Sequence, residues 1–592
     1  MAKFEAPQSE TSPDAGVPSS RSEAEPSAPS SSAGARLFNR VLLALLLVLA
    51  PLKFGLVTGT MEISAFPLLP FEWLLSTWPP WLFPPLAGVA LLVSMASIRG
   101  PARFGWSMAV PGVWLLLLVG ALPGLLRTTE WDIAQQFLWH LTGACCAALA
   151  AYRTVSLDRQ ARVWLLGAVV TGACLASLQA WNQVVFGGYE QTLETAREHG
   201  IALAAPVVER LREGRASGPF VYPNSLAAHM VLVVPLALLA VWRAGRWFEP
   251  TRWSRPLFAG FGAVLLGGAL VLSGSRAGVA SLVAAVLGTA VLSRGLGRWR
   301  LAVAVALLVC GLALAAIVNR GRGLSSLEAR GEYYKACVAM VAGHPLTGVG
   351  LGEFFPWYTR LKPIEAEDTR RPHNLVLGFA AQAGVLGGAA AVLCLSLPLW
   401  FRGAFRTDGW HIDPALGGAV FAGLSAWFLH SLLDFNVHIP GTLATVAALP
   451  FLCVDRTPNS ASRPGGNGAL PGAVACALAL VAVVGLWRWP GERAYAQLLA
   501  AGPPGTSSSA EWDRLVERAC RRLPLSPYPC WVGAKAALAR GQSGPALGLL
   551  RETVRRAPHR AVFLDALATE LARNGEVEAA RRVQRRADRW KP

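Results

Sequence analysis

Charge is what this sequence is short of. Only 15% of its 592 residues are charged, against about 25% in a soluble protein of ordinary composition. A soluble globular protein is therefore not expected. Metal-ligand spacing is missing too. The cysteines number ten, and Cys145, Cys146, Cys174, Cys310, Cys394, Cys453 and Cys476 sit in apolar runs, where they are expected as inert core residues. Glu194, Glu198 and His199 lie at helical spacing, but nothing around them builds a site and they read as a solvated face. No metal and no cofactor are expected. Gly348, Gly350 and Gly352 have no strand before them, so they read as tight loop packing and not as a phosphate cradle. No apolar run precedes Leu37, so no cleavable signal peptide is expected at the start.

Hydrophobic residues are what is there: 53% of the chain, with mean hydropathy +0.41. Many apolar runs reach the ~20 residues that a membrane-spanning helix needs. Spans are expected at 37–56, 80–98, 106–126, 132–151, 163–186, 222–242, 257–273, 277–293, 300–318, 374–400, 415–433, 440–454 and 470–488. The fold class is all-α, a polytopic transmembrane bundle of about 12–13 spans, and the lipid bilayer is its first partner. Two stretches are irregular: 440–454 is short, and 53–80 is rich in Pro and Trp and is a candidate re-entrant piece. Trp73, Trp78 and Trp81 read as interfacial anchors.

Orientation follows from the basic loops. Arg36 and Arg40, Arg99 and Arg103, Arg153 with Arg159 and Arg162, Arg243 to Arg255, Arg294 to Arg300, and Arg402 with Arg406 fall in alternate loops without a break. The positive-inside rule places all of them on the cytoplasmic side. The net charge of +18 is thereby orientation and tail chemistry, and no nucleic-acid partner is implied. Residues 1–35, rich in Ser, Pro, Ala and Glu, read as a disordered cytoplasmic tail. The membrane domain is 36–488. An odd number of spans puts residues 490–592 outside. Residues 530–590 of that tail read as paired amphipathic helices. Gly541 and Ala546 recur as Gly575 and Ala580, which resembles tetratricopeptide repeats; the alternative is a plain helical hairpin cap. Such repeats bind partners on a concave face, so a protein partner is a candidate. Cys520 and Cys530 would then lie in an oxidising compartment, where they are able to pair.

Four segments face outside on this count. They are the loop ending in Arg215-Ala-Ser-Gly-Pro-Phe-Val-Tyr-Pro-Asn224, the turn Ser273-Gly-Ser-Arg276-Ala-Gly278, the large polar loop 319–373, and Asp434-Phe-Asn-Val-His438-Ile-Pro440. Cations on that side oppose the orientation rule. Arg215, Arg276, Arg330, Arg370 and Arg371 therefore need another reason, and an ionisable group as close to the apolar layer as Arg276 is a functional candidate by default. The large loop ends in Pro372-His373-Asn374, a helix-start signature. Guanidinium forks suit phosphate oxygens, and a histidine takes a proton from a hydroxyl near neutral pH. The set suits group transfer from a lipid diphosphate to a hydroxyl, with the leaving diphosphate stabilised by arginine and no divalent cation. Each residue has a blander reading. His373 caps a helix, Arg276 snorkels, Arg215 and Arg330 are solvated loop charges, and Asp434 caps a helix.

These segments resemble the O-antigen ligase and polymerase superfamily of membrane glycosyltransferases. The resemblance rests on Arg215 to Phe220 with Pro223-Asn224-Ser-Leu-Ala, on Ser273 to Gly278, on Arg330 followed by His344-Pro-Leu-Thr-Gly-Val-Gly350-Leu-Gly352-Glu-Phe, on His373-Asn374-Leu with Gly384-Val-Leu-Gly387, and on His430-Ser-Leu-Leu-Asp434-Phe-Asn-Val-His438-Ile-Pro440. Their order and shared side carry it over roughly 200–450. It implies a GT-C-like enzyme in the bacterial inner membrane. The donor would be a glycan on undecaprenyl diphosphate, and the acceptor a lipid, polysaccharide or protein hydroxyl on the periplasmic face. It implies His373 as base beside Asn374, Arg215 and Arg276 on the diphosphate with Arg330 joining them, and Asp434 orienting His373 or binding sugar. A lipid-linked sugar transporter would carry charge at its span centres, and here charge gathers at one face. A non-catalytic scaffold would tolerate loss of His373.

Overall fold

The computed structural model describes residues 32–59, 66–97, 106–198, 205–245, 253–292, 325–407, 410–456, 469–502 and 509–591. Its strands among the described residues are Trp410–Ile412 and Val454–Arg456, which pair antiparallel; the rest of the regular structure is helix. Each expected span carries helix except 300–318, which lies outside the described residues, as does most of the 1–35 tail. Among the described residues eight helices are long and apolar enough to cross a membrane. Arg276–Ala290 and Pro440–Cys453 are apolar but shorter. Trp131–Leu157 and Pro414–Ser431 bury polar groups near one end, Asp132, Gln136 and His140 in the first and His430 and Ser431 in the second.

Contacts sort the helix ends into two sets. At one end Arg40 binds Asp158, Arg243 grips Asp413 through bonds of 2.8 and 2.9 Å, and Arg153 reaches the carbonyl of Ser94 at 3.2 Å. At the other, Thr58 N bonds His438 O at 2.9 Å, Ala216 N bonds Leu272 O at 2.9 Å, and Leu351 N bonds Thr128 Oγ1 at 3.0 Å. Among the described residues the cations Arg40, Arg153 and Arg243 thus lie at one end, and the described parts of the four segments singled out above lie at the other, here called the loop end. Between them runs one apolar core in which Trp114, Phe401 and Trp427 are almost wholly covered.

The loop 319–373 is built on two helices, Ser325–Gly343 and Phe354–Leu361. Between them the chain plugs a broken span. The helix Leu375–Leu395 is interrupted at Gly384, where φ is 76° and ψ −170°. Such a break frees backbone groups that lipid cannot satisfy. The loop supplies them: Val349 N bonds Ala381 O at 2.8 Å, Gly350 N bonds Gln382 O at 3.3 Å, and Val385 N bonds Pro345 O at 2.8 Å. The approach is close, since a Cβ on Gly384 would stand 2.5 Å from the carbonyl carbon of Leu346. Gly384→Ala is therefore expected to destabilise by about 2–5 kcal/mol, adding left-handed strain to overpacking. Thermal unfolding in detergent measures it, with Gly331→Ala, whose Cβ would meet nothing within 4 Å, as control. Equal midpoints would mean that the break tolerates a side chain.

Beyond Trp489 the chain forms three antiparallel helix pairs: Trp489–Ala500 with Ser509–Arg522, Tyr528–Ala539 with Ser543–Arg556, and Ala561–Arg573 with Val577–Asp588. They share a core of their own around Tyr495, Leu550 and Leu564. Gly541 and Gly575 both turn with positive φ, 71° and 80°, and Ala546 and Ala580 are both buried, so the recurring residues do occupy equivalent places. Cys520 and Cys530 form a disulfide, their Cα atoms 5.5 Å apart. The stretch 53–80 contains a short helix, Pro70–Leu75. Of its tryptophans, Trp81 is buried and Trp73 and Trp78 are half-buried. Trp73 stacks on Trp489 at 5.2 Å and Trp81 is 3% exposed, because the start of the tail covers them.

Candidate active site

His373 stands at the loop end, ahead of the helix Leu375–Leu395, and it is not that helix's cap. Asn374 is: its Oδ1 accepts from Leu377 N at 2.9 Å, while its Nδ2 donates to Leu432 O at 2.9 Å. Asn374 thereby ties the helix start to the end of Pro414–Ser431. His373 is held at φ 52°, as no other non-glycine residue is among the described residues. That conformation costs about 1–3 kcal/mol and persists only where surroundings enforce it. Here they do. Tyr334 donates to the His373 carbonyl at 3.3 Å. Tyr333 lies against one face of the ring at 5.5 Å and Phe435 meets it edge-on at 4.8 Å.

Asp434 fixes the ring electrostatically. Its Oδ1 is 3.3 Å from His373 Nδ1, and its side chain is 3% exposed against 21% for His373. Burial pushes the Asp434 carboxyl up, but His373 and His430 beside it, with the Phe435 amide, outweigh burial and hold it at about 2. A carboxylate on Nδ1 leaves Nε2 as the nitrogen that works on a substrate.

The arginines reach this point through a chain of contacts. Arg215 donates from Nε to Ser273 O at 2.9 Å and from Nη2 to Asn224 Oδ1 at 3.0 Å. The Arg215 loop is thus locked to the turn 273–276. In that turn Ser275 Oγ is 3.5 Å from His430 Nε2; His430 Nδ1 is 2.9 Å from Asn436 Nδ2, and His430 shares the electrostatic field of Asp434, His373 and Arg330. Arg276 is exposed and opens the helix Arg276–Leu292. A cation there opposes the helix dipole, whereas an anion bound there would gain from both. Arg330 is half-buried one turn before Tyr333 and Tyr334, and its charge bears on both phenols. Contacts thus join the Arg215 loop to the turn 273–276 and that turn to His430, which lies in the field of Asp434 and His373, with Arg276 opening the helix after the turn.

Residues 261–392 match the O-antigen ligase family. The O-antigen ligase domain so delimited takes in Arg276, Arg330, His373 and Asn374, with Arg215 before it and Asp434 after it. No curated protein gives a match to the chain. The domain supports a membrane glycosyltransferase of the O-antigen ligase superfamily.

Sequence reasoning overlooked Tyr333 and Tyr334. Their signal was present, since they stand three and four residues after Arg330 and so share its helix face. It also overlooked what Arg371 does. That side chain bonds the carbonyl of Thr58 and lies 2.8 Å from His438 Nδ1, so it pins the segment before His373 to the chain after the first span. Nothing local in the sequence announces that contact. Of the residues weighed as a metal pair, Glu194 and Glu198 are exposed on Gly188–Glu198, and His199 lies outside the described residues.

Proposed function

We propose that the O-antigen ligase domain transfers a glycan from a polyprenyl diphosphate to a hydroxyl acceptor. The observation that carries this is His373, strained, ringed by aromatic side chains, and backed by a buried carboxylate 3.3 Å away. Its Nε2 takes the proton of the acceptor hydroxyl as that oxygen attacks the anomeric carbon. The bond from the anomeric carbon to the diphosphate oxygen breaks, the lipid diphosphate leaves with the electron pair, and the anomeric configuration inverts. Asp434 positions the imidazole and stabilises the imidazolium that forms, the role a buried carboxylate plays in a hydrolase triad. Arg276 and Arg215 meet the diphosphate, helped by the helix N-termini at Pro223 and Arg276, and Arg330 adds positive charge beside the phenols. The lipid tail lies between spans.

The reading includes orientation. The loop end faces the periplasm, the N-terminus the cytoplasm, and the disulfide of the C-terminal helix pairs agrees with an oxidising compartment. Those pairs are a tetratricopeptide-like domain that holds the acceptor or an assembly partner near the site. Arginine stabilises the leaving group, so turnover of purified protein is expected to persist in chelator; its abolition by chelator and rescue by a divalent cation would overturn that part of the mechanism.

Asp434→Asn supplies the test of positioning. It is expected to lower turnover by about 10–100-fold, part of what a general base contributes. The loss is expected in kcat, with the KM for donor little changed, because the arginines and not Asp434 are proposed to hold the diphosphate. Unchanged turnover by the folded variant would mean that Asp434 does not position His373.

A further inference from the structure

A pocket of about 530 Å³ lies beside Arg215 at the loop end. That is the size of a ligand site. It is bounded by the end of the helix Ala161–Val184, the start of Gly188–Glu198, the chain from Arg215 to Pro223, and Leu75 and Thr77. Arg215 is its one charged lining residue among the described residues. The rest of its polar lining is amide and hydroxyl. Gln179, Asn182 and Gln183 come from one helix end, and Thr77, Tyr189 and Thr192 stand around them.

The helix Ala161–Val184 changes character where the pocket begins. Its outer face carries Leu175 and Leu178, 42% and 52% exposed. Four residues on, at the same places around the helix, stand Gln179 and Asn182, both exposed. Gln183 is spent on the pocket wall. Its Oε1 accepts from Ser217 N at 3.0 Å and Gly218 N at 2.7 Å, and its Nε2 donates to Gly218 O at 2.9 Å. The Tyr189 hydroxyl lies 2.9 Å from Arg215 O, to which it donates. The backbone that carries Arg215 is thereby fixed against the pocket. Gln179 and Asn182, by contrast, make no side-chain hydrogen bond among the described residues. Their amides face the pocket with donors and acceptors to give.

We infer that this pocket seats the sugar ring next to the diphosphate of the donor. The inference rests on the reading above, in which Arg215 meets that diphosphate. A diphosphate held there carries a prenyl chain on one side and a sugar on the other, and the lining decides which one enters. A prenyl chain would cover Gln179, Asn182 and Thr77 without replacing the hydrogen bonds that water gives them, at a cost for each group. Sugar hydroxyl and acetamido groups replace those bonds, since each amide offers two donors and an acceptor. Gln179 and Asn182 therefore read the first sugar, and Gln183 and Tyr189 keep the wall in place while they do so.

The test is titration calorimetry on the full-length protein in detergent. One probe is a short-chain prenyl diphosphate bearing a single N-acetylhexosamine; the other is the same prenyl diphosphate without sugar. Wild type is compared with Gln179→Leu, Asn182→Leu and the double variant, and thermal midpoints check that each folds. The sugar-bearing probe is expected to bind wild type about tenfold more tightly than the bare one. Each single variant loses part of that advantage. In the double variant the two probes bind alike, and the bare probe binds as it does to wild type. A sugar that adds nothing in wild type, or an advantage that survives in the double variant, would overturn the inference and leave the donor reading standing. Equal weakening of both probes in the double variant would also overturn it and make the pocket a seat for the lipid or the diphosphate. If neither probe binds wild type, the donor reading fails and this inference falls with it.

Discussion

Replacing His373 by Ala or Gln lowers release of lipid diphosphate from a polyprenyl-diphosphate oligosaccharide by about 10²–10⁴-fold, the contribution of a positioned general base. The assay runs in chelator with candidate acceptors, and thermal midpoints confirm that each variant folds. Gln keeps bulk between Tyr333 and Phe435 while losing the proton acceptor, so it separates chemistry from packing. Donor binding should survive, because the arginines proposed to meet the diphosphate sit on other elements, at 215, 276 and 330. The acceptor that turns over decides between ligase and polymerase. Unchanged turnover in both variants would remove His373 as base. It would leave Asn374, the actual helix cap, as the functional part of the motif.

The second large effect is at the junction of tail and membrane helices. Arg560→Met leaves Glu130 buried without its cation and is expected to cost about 3–5 kcal/mol. The pair is close, Nε to Oε1 2.5 Å and Nη2 to Oε2 2.7 Å, with both side chains at most 8% exposed. The double variant Glu130→Gln with Arg560→Met should recover part of the loss, giving a coupling of at least about 1 kcal/mol; additive losses would mean that the pair does not hold the tail. Glu353 adds to the same junction. Its Oε1 accepts from Thr129 N and Glu130 N at 2.7 Å each, and Oε2 faces His559 Nδ1 at 3.1 Å. Burial pushes the Glu353 carboxyl up, but His559, Thr129 and the Glu130 amide together hold it below the usual value. A lowered carboxyl contributes stability that is full above its unfolded value, about pH 4.3, and is lost as pH falls through the folded one. Docking of the tail should therefore weaken in acid, and Glu353→Gln should flatten that dependence.

The junction changes how the tail is understood. From sequence it was an appendage on helical hairpins. In the structure Arg560, His559 and Trp590 reach Glu130, Glu353 and Trp357, residues hundreds of positions earlier. Arg488 is buried between Asp132 at 2.7 Å and Glu492 at 2.8 Å. Apart from the i, i+4 pair of Arg488 and Glu492, none of these contacts carries a local signature, because an ion pair between distant segments leaves no periodicity in either.

What the sequence determined by itself was whatever depends on one segment and its solvent. Apolar length placed the spans, since lipid demands helix of a fixed length. The basic loops sorted their ends, and the cations that broke that pattern, with His373 and Asn374, marked the candidate site. Glycine placement announced tight loop packing at 348–352. The tertiary structure alone decided how those parts meet: that Asn374 and not His373 caps the helix, that Asp434 backs Nδ1, that Gly384 opens a span for the 345–352 loop to close, and that the tail's cations are matched by carboxylates under it. These are distances between segments far apart in the chain, set by the packing of whole helices, and no window of sequence contains them.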